Sequence, residues 1–428
     1  MKYVFDIHIH SKYSRATSRE LGIEGLYKGA AIKGIDVIGT GDFTHPRYFK
    51  EIEKELEDIG SGFYSFKRKN SARHGSKKIK KDPKFLLSAE IANIYKKSGK
   101  ARRVHTCVFA PSVAAAKELN IALEKIGNIK SDGRPILGID VEDMTRIIFE
   151  ISEDFIVVPA HAWTPWFSVF GSKSGFDSIE ECFGDQSKKI FAIETGLSSD
   201  PVMNRTWSYL DNISLISNSD AHSLPNLGRE ATVFDLESLS IKNMRSALDK
   251  KNFSDKKNKI DFTIEFFPEE GKYHLDGHKD CSFSCDPKET KKLKALCPKC
   301  GRGLTVGVLS RVADLGDRKE SLKLENYKHI VPLREIIADA FGQAKSTKRV
   351  CETYDAMIDR LGDEFSILLD LDLDEIKSFG IEELSEGIKR VRRGEIFVKG
   401  GYDGEYGVVS VFSEKEKISA KSKQKSLF

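Results

Sequence analysis

FDIHIH, Phe5 to His10, sets the reading of this chain: an apolar strand that breaks into histidines. In an extended strand alternate side chains share a face, so His8 and His10 point the same way and suit a single ion gripped by both rings. The same form returns in VIGTGDFTH (Val37 to His45), LLSAEI (Leu86 to Ile91), RRVHTCVF (Arg102 to Phe109), VVPAHAW (Val157 to Trp163), FAIETG (Phe191 to Gly196) and ISNSDAH (Ile216 to His222). A short apolar run ending in polar ligands is what a buried parallel strand looks like where it delivers side chains to a barrel mouth. An α/β fold is therefore expected.

Of the ten histidines, His8, His10, His45, His105, His161 and His222 fall in these segments, with Asp6, Asp42, Glu90, Glu194 and Asp220. Imidazole and carboxylate are the ligand set of Zn, Mn or Fe, and converging strands can hold more than one ion. Asp220 and His222 repeat the His8–His10 spacing. A single histidine at a strand end is ordinarily a hydrogen-bonded core residue. Recurrence through the chain favours a hydrolytic centre of up to three metals.

The ordered series HIH, GDFTH, AE, VH, PAH and SDAH resembles the PHP (polymerase and histidinol phosphatase) family of metal-dependent phosphoesterases, over roughly residues 1–235. That resemblance implies a distorted (β/α)7 barrel with its metals at the C-terminal mouth. It implies that His8 and His10 hold a first ion with Asp220, and that Glu90 bridges it to a second ion on His105 and His161. His222 would hold a third with help from Asp42 to His45, although here Phe43 follows Asp42 and His45 comes two residues later, unlike the commoner Asp-His pair. The cofactors implied are two or three divalent metals (Zn, Mg, Mn or Fe) and no nucleotide. Asp220, Glu90, His161 and His222 are the expected catalytic residues. Bridged ions activate water and neutralise charge on attacking and leaving oxygens, so no Ser or Cys nucleophile is required.

Cys281-x3-Cys285, a short connector and Cys297-x2-Cys300 carry the spacing of a tetrahedral structural zinc, and Cys297-Pro298-Lys299-Cys300-Gly301 has the turn of a zinc knuckle. His274 and His278 lie beside it and read as hydrogen-bonding loop residues, since four thiolates already complete a closed site.

At 428 residues two or three domains are expected. The chain has 39% hydrophobic residues and no apolar run of membrane-spanning length, and its first residues pass straight into a strand rather than a signal sequence. A soluble, cytoplasmic, nucleoid-associated protein is expected, with no membrane partner. The formal charge is only +4 with 31% charged residues, so nucleic acid would have to meet local patches. Lys67 to Lys81 carries eight Lys and Arg with no acid, and reads either as a phosphate-contacting loop or as a solvated insertion.

Past the cysteines, Leu304 to Arg318 reads as a strand turning into a helix. Val331 to Gly342 has helical spacing closed by glycine, and Lys348 to Leu361 and Ile381 to Arg393 follow as helices. The segment Arg390 to Phe412 sets Arg390, Arg392, Arg393 and Lys399 around a Gly-rich turn with Tyr402 and Tyr406. It suits phosphate contact with aromatic stacking, or equally a hairpin whose tyrosines pack inward. Trp163, Trp166, Phe167, Phe170 and Phe176 crowd the loop after His161, either as walls for a flipped nucleotide or as a closed lid.

PAHAWTPW, ETGLSSDP, SNSDAHS, YHLDGHKDC, CPKCGRGLTVGVLSRV and GGYDGEYG together resemble the endonuclease Q family, over roughly residues 1–410. The resemblance implies a DNA repair endonuclease that cuts 5′ of deaminated bases (uracil, hypoxanthine, xanthine) and of abasic sites, in double- or single-stranded DNA. The division expected is a barrel over 1–255, a zinc-binding domain over 256–325, a helical DNA-binding domain over 326–410 and a disordered tail over 411–428. That tail ends in Gln424, Leu427 and Phe428, which either resemble a truncated peptide for the PCNA sliding clamp or arise by chance. The alternatives are a small-molecule phosphatase of the histidinol phosphatase type, and a non-catalytic clamp-associated DNA-binding protein. The former needs no zinc knuckle or clamp peptide, and the nearly complete ligand set disfavours the latter.

Overall fold

The computed structural model describes residues 1–67, 81–250, 257–323 and 325–417. All seven ligand-bearing segments contribute strands, five in one mixed sheet and two in a separate parallel pair, and backbone bonds from the Ala162 amide to the Glu194 carbonyl and from the Asp220 amide to the His8 carbonyl close them into a ring. Lys2–Asp6 lies parallel to Val37–Gly39, with Phe5 opposite Val37, and Val37–Gly39 lies parallel to Lys84–Lys97. Next come Lys100–Ala110 and Ile156–Pro159, followed by the parallel pair Ala192–Glu194 and Ser214–Ile216. Phe5, Val37, Leu86, Val158 and Ile216 from these strands are all buried, as a layer covered on both faces requires.

The ring is not uniformly parallel, which corrects the expectation for Arg102 to Phe109. Lys100–Ala110 runs antiparallel to both of its neighbours. The cause is Ser98-Gly99, both at positive φ (52° and 76°), a two-residue turn that joins only antiparallel strands. Helices cover the outside. Val113–Ile126, for example, is capped by Ser112, which accepts from the Ala115 amide, and it buries Ala115, Ala116, Leu119 and Leu123 at helical spacing.

On the other side of Lys2–Asp6 the sheet continues through Ala231–Asp235, Lys259–Glu265 and Tyr327–His329. The expected boundary near residue 256 therefore does not interrupt the sheet. The cysteine segment forms a small hairpin, Asp276–His278 with Phe283–Cys285. The helices Leu333–Phe341, Lys348–Leu361 and Glu382–Arg393 follow, the first closed by Gly342 in the left-handed conformation. Only part of the Leu304 to Arg318 expectation forms, as the helix Val308–Leu315.

Glu364 clamps this helical region to the ring. Its carboxylate meets Lys33 Nζ at 2.7 Å and accepts from the Tyr354 hydroxyl at 2.6 Å and the Leu333 amide at 3.0 Å. With both charges buried and these acceptor positions filled, truncating either partner would strand the other at a cost of about 3–5 kcal/mol. Among the described residues no helix is long and apolar enough to cross a membrane.

Candidate metal centre and its cavity

Glu90 and His105 project from within the long strands Lys84–Lys97 and Lys100–Ala110, whereas after three other strands the chain turns sharply into residues of the site. Asp42, His161 and Asp220 all have positive φ (46°, 28° and 46°), a conformation disfavoured for side chains with a Cβ. Hydrogen bonds hold them there. The His161 amide donates to Glu194 Oε2 at 2.9 Å, and the Asp220 amide donates to the His8 carbonyl at 2.9 Å. Gly196, at φ 67°, lies so close that a Cβ there would sit 2.6 Å from the His161 Cβ.

Besides a fully buried trio of His8, Cys107 and Glu194, the described residues of the barrel form two ligand groups, one of His8, His10 and Asp220 and one of Glu90, His105 and His161. Glu90 links them: Oε1 lies 2.7 Å from His105 Nδ1 and 3.1 Å from His161 Nε2, and Oε2 lies 3.3 Å from His10 Nε2. Asp220 Oδ1 is 3.1 Å from His10 Nε2 and 3.7 Å from His8 Nε2. Yet His8 Nε2, His10 Nε2 and Asp220 Oδ1 are buried without any hydrogen-bond partner. Lone pairs crowded together and left unmatched are what a divalent cation satisfies, so these residues fit the implied metals. Burial pushes the Glu90 carboxyl up, but His105, Arg134, His8 and His10 more than reverse this and hold it well below its ordinary value. Burial pulls His105 down to about 4, leaving the neutral ring that ligation needs.

Glu194 and Asp42 aim the histidines. Glu194 Oε2 lies 2.9 Å from His8 Nδ1, and Asn218 Nδ2 fixes the other oxygen at 2.9 Å. Asp42 Oδ1 lies 3.2 Å from His10 Nδ1, while its Oδ2 accepts from the Ser11 amide (2.6 Å), the Ser11 hydroxyl (2.7 Å) and the Ser14 hydroxyl (2.8 Å). A carboxylate on the far nitrogen fixes the ring's orientation and raises its basicity.

Asp42 thus stands behind His10 rather than among the ligands, and His45 is further removed. The His45 ring stacks on Tyr13 at 4.4 Å, with Nε2 at the Lys130 carbonyl. Asp42 and His45, expected to help hold a third ion, lie outside both ligand groups in this arrangement. His222 does face the site, its ring 4.5 Å from that of His10. Its Nδ1 lies 2.9 Å from the Asp220 carbonyl, which makes Nδ1–H the donor and leaves Nε2 as an acceptor.

Over these groups opens a cavity of about 760 Å³, with His161, Asp220 and His222 toward its floor and Trp166, Tyr273 and Tyr406 on its walls. Such a volume lies within the range of about 300–1,000 Å³ that encloses nucleotide-sized ligands.

Set beside known proteins, the chain shows five informative likenesses. The family model for the MJ0043 C-terminal domain matches residues 332–395. The uncharacterized protein MJ0043 of Methanocaldococcus jannaschii is 34% identical over 259 residues, covering 60% of this chain and 32% of that protein, so the chain spans about a third of this relative. The uncharacterized protein YqxK of Bacillus subtilis is 28% identical over 422 residues, 96% of this chain and 100% of YqxK. Among solved structures, the lesion-specific endonuclease PfuEndoQ from Pyrococcus furiosus superposes with a TM-score of 0.82 at 30% identity, covering 97% of this chain and 96% of that one. The chain belongs to the endonuclease Q family. It is therefore an enzyme of the nuclease class. A second endonuclease Q structure, bound to a 27-mer duplex with an abasic lesion at its active site, superposes with a TM-score of 0.83 at 30% identity and covers 97% of this chain and 98% of that one.

Within this endonuclease Q fold the expected zinc ligands are rearranged. Ligand atoms of His278, Cys281, Cys297 and Cys300 lie within 4.8 Å of one another. Cys285 turns inward instead, its Sγ 3.2 Å from Thr290 Oγ1, and packs in a small core with Leu304. His278, read from sequence as a loop residue, thus takes the place expected for Cys285.

The expected DNA-facing residues divide. Trp163 is core, 1% exposed, with its indole N–H donating to Asn204 Oδ1 at 2.7 Å, and Phe170 and Phe176 are buried with it. Trp166 and Phe167 line the cavity. Arg390 pairs with Glu386 and Glu416, and Arg392 donates to the Leu368 and Ile367 carbonyls, so both are structural, while Arg393 is exposed beside Glu395. Tyr402 packs on Gly277, where a Cβ would come 2.3 Å from the Tyr402 ring. Tyr406, 69% exposed, projects from the same turn to the cavity rim. Arg103, Arg229, Lys272 and Tyr273 join it there, unsuspected from sequence because they come from unrelated segments. Of Lys67 to Lys81, residues 68–80 lie outside the described residues, as do Gln424, Leu427 and Phe428.

Proposed function

We propose that this member of the endonuclease Q family is a metal-dependent DNA repair endonuclease that hydrolyses the phosphodiester 5′ of a deaminated base (uracil, hypoxanthine or xanthine) or an abasic site. The observation that carries this reading is the placement of two Glu90-linked ligand groups, with unmatched lone pairs on His8, His10 and Asp220, beneath a nucleotide-sized aromatic cavity. The lesion specificity of the Pyrococcus furiosus endonuclease and the abasic-site complex of the second endonuclease Q structure support it.

Divalent ions on these two groups would lower the pKa of water and neutralise phosphoryl charge. The chain's own residues supply orientation. Glu194 and Asp42 hold His8 and His10 in one ring position each. Burial pulls the His222 pKa below its ordinary value, so its Nε2 is a neutral acceptor toward the cavity, for a proton or for an ion. Trp166, Phe167, Tyr273 and Tyr406 offer faces and edges for a nucleotide taken out of the stack. The zinc-type cluster braces the wall behind them, since Asp403 of the Tyr406 turn accepts from the Lys279 amide at 2.7 Å. Docking on a PCNA clamp through Gln424, Leu427 and Phe428 belongs to the same proposal and rests on the sequence alone.

The test is cleavage of end-labelled duplexes carrying one uracil, hypoxanthine, xanthine or abasic site, with Mg²⁺ or Mn²⁺, beside an undamaged duplex and Asp220→Ala. A metal-dependent nick immediately 5′ of the lesion, absent in the variant, is expected. Hydrolysis of phosphomonoesters without any lesion-dependent nick would overturn the reading in favour of a small-molecule phosphatase.

A further inference from the structure

The metal-bearing cavity has a neighbour. A second cavity of about 540 Å³ opens beside it, and Arg229, Asn226, Leu197, Gly271 and Tyr406 line both. Three cations reach the second space: Arg229, Arg334 and Lys345. Arg229 is anchored to the Asp220 loop, donating to the Ser219 carbonyl at 2.8 Å. Arg334 lies over the Tyr354 ring at 4.7 Å. Lys345 Nζ is 2.6 Å from Glu335 on a side chain 62% exposed.

Glu335 and Glu270 are the acids lining this cavity, and neither cancels its positive character. Glu335 is matched by Lys345. Burial, helped by Glu335, pushes the Glu270 carboxyl up to about 8, which weakens it as a negative charge at neutral pH. Arg229 and Arg334 are left as uncompensated cations, with Ser223, Asn226 and Ser346 as neutral partners. This is the composition of a phosphate site, as phosphate contacts in nucleic-acid complexes come mainly from Arg, Lys and small polar side chains.

Tyr406 sits where the two cavities meet. The turn that carries it is tied down along its length: Gly401, Gly404 and Gly407 amides donate to the carbonyls of Glu269 (2.8 Å), Lys272 (2.9 Å) and Glu270 (3.0 Å). The backbone that carries this exposed ring is thus held in place between the two cavities.

Resting on the endonuclease reading, we propose that the second cavity is a subsite for the nucleotide adjoining the lesion on the cut strand. Its phosphate lies among Arg229, Arg334 and Lys345, and Tyr406 separates it from the lesion nucleotide. Arg334 and Lys345 are thus positioning residues: they fix the register of the strand so that the scissile phosphate meets the metal groups.

A charge-neutral methylphosphonate walked one position at a time along the lesion strand tests this in the full-length protein. In wild type one position flanking the lesion should raise KM by about tenfold, the loss of one charge-assisted contact. In Arg334→Gln and Lys345→Gln, KM on the all-phosphate duplex should be raised, and the penalty at that position should shrink toward one. Lys345→Gln, on an exposed side chain, guards against misfolding from loss of the Arg334–Tyr354 contact. If wild type nicks lesions but every methylphosphonate penalty is unchanged in both variants, the subsite is refuted and the endonuclease reading stands. If wild type nicks no lesion duplex, both fall together.

Discussion

Replacing Asp42 with Asn distinguishes a residue that aims a ligand from one that is a ligand. The carboxylate serves the Ser11 amide, the Ser11 and Ser14 hydroxyls and His10 Nδ1, at 2.6, 2.7, 2.8 and 3.2 Å. An amide keeps one acceptor oxygen and turns an N–H toward the rest, so either the serine bonds or the His10 bond must be lost. Each hydrogen bond to a charged group contributes about 1.5–3 kcal/mol, so a stability loss of about 2–3 kcal/mol is expected for the bond broken. With His10 no longer held, affinity for the metal should fall by about 10–100-fold. The number of ions bound at saturation should not change, because the His8, His10 and Asp220 group and the Glu90, His105 and His161 group do not include Asp42. Titration against a chromophoric chelator measures affinity, and elemental analysis of metal-saturated protein measures stoichiometry. Glu90→Gln is the contrast, since it strikes the carboxylate that links both groups and should lose bound metal outright. If Asp42→Asn instead lost one whole equivalent with the affinity of the remainder intact, Asp42 would be a ligand and the outer role assigned to it would be wrong.

Three further outcomes follow from the geometry. His278→Ala should release the zinc expected at the cysteine cluster while Cys285→Ser retains it, read as zinc content per chain; the reverse pattern would restore Cys285 as the ligand. Trp163→Ala should cost about 3–5 kcal/mol of stability as a large core truncation. Trp166→Ala should leave chemical denaturation nearly unchanged while weakening binding of a lesion duplex by about 1–3 kcal/mol, the worth of one stacked base. Burial pushes the Glu265 carboxyl from its ordinary 4.5 to about 7, so between these values the folded state keeps a proton that the unfolded state has lost. Stability from this group is present below about pH 4.5 and is lost as pH rises toward 7, by at most about 1.4 kcal/mol per unit. Glu265→Gln should flatten that slope in denaturant titrations from pH 5 to 7, and parallel slopes would count against it.

The ring was legible because each strand announced itself within one short segment, apolar and then ligand. The reversed strand was legible too, in principle: Ser98-Gly99 between two long alternating runs is a hairpin signal, overridden by the repeated strand-end pattern. What failed was direction. Trp163 sits in the same cluster as Trp166, but the loop doubles back, with the Phe170 amide donating to the Ala162 carbonyl at 2.8 Å, and this carries Trp163 inward. Arg390 and Arg392 look like DNA ligands by composition, yet near a helix C-terminus such charges serve carbonyls and nearby acids. The swap of His278 for Cys285 was beyond spacing arguments, since three cysteines and either partner satisfy the same tetrahedron. Arg229, Arg334 and Lys345 meet only through the packing of distant segments.

The backbone seam of the ring has a consequence for how the protein matures. Where Ser214–Ile216 returns to Lys2–Asp6 the regular strands have already ended, and the join is made by the Asp220 amide on the His8 carbonyl and the His10 amide on the Ala221 carbonyl. The residues that close the cylinder are those that carry the metal ligands. Without ions this seam gathers carboxylates and histidines with unmatched lone pairs, which should favour local opening there. Bound metal would fasten a join that the backbone already makes. Hydrogen exchange at the His10 and Asp220 amides should slow on loading far more than at Val37 or Val158, which would make the metal a late fastening of the barrel as well as its reagent.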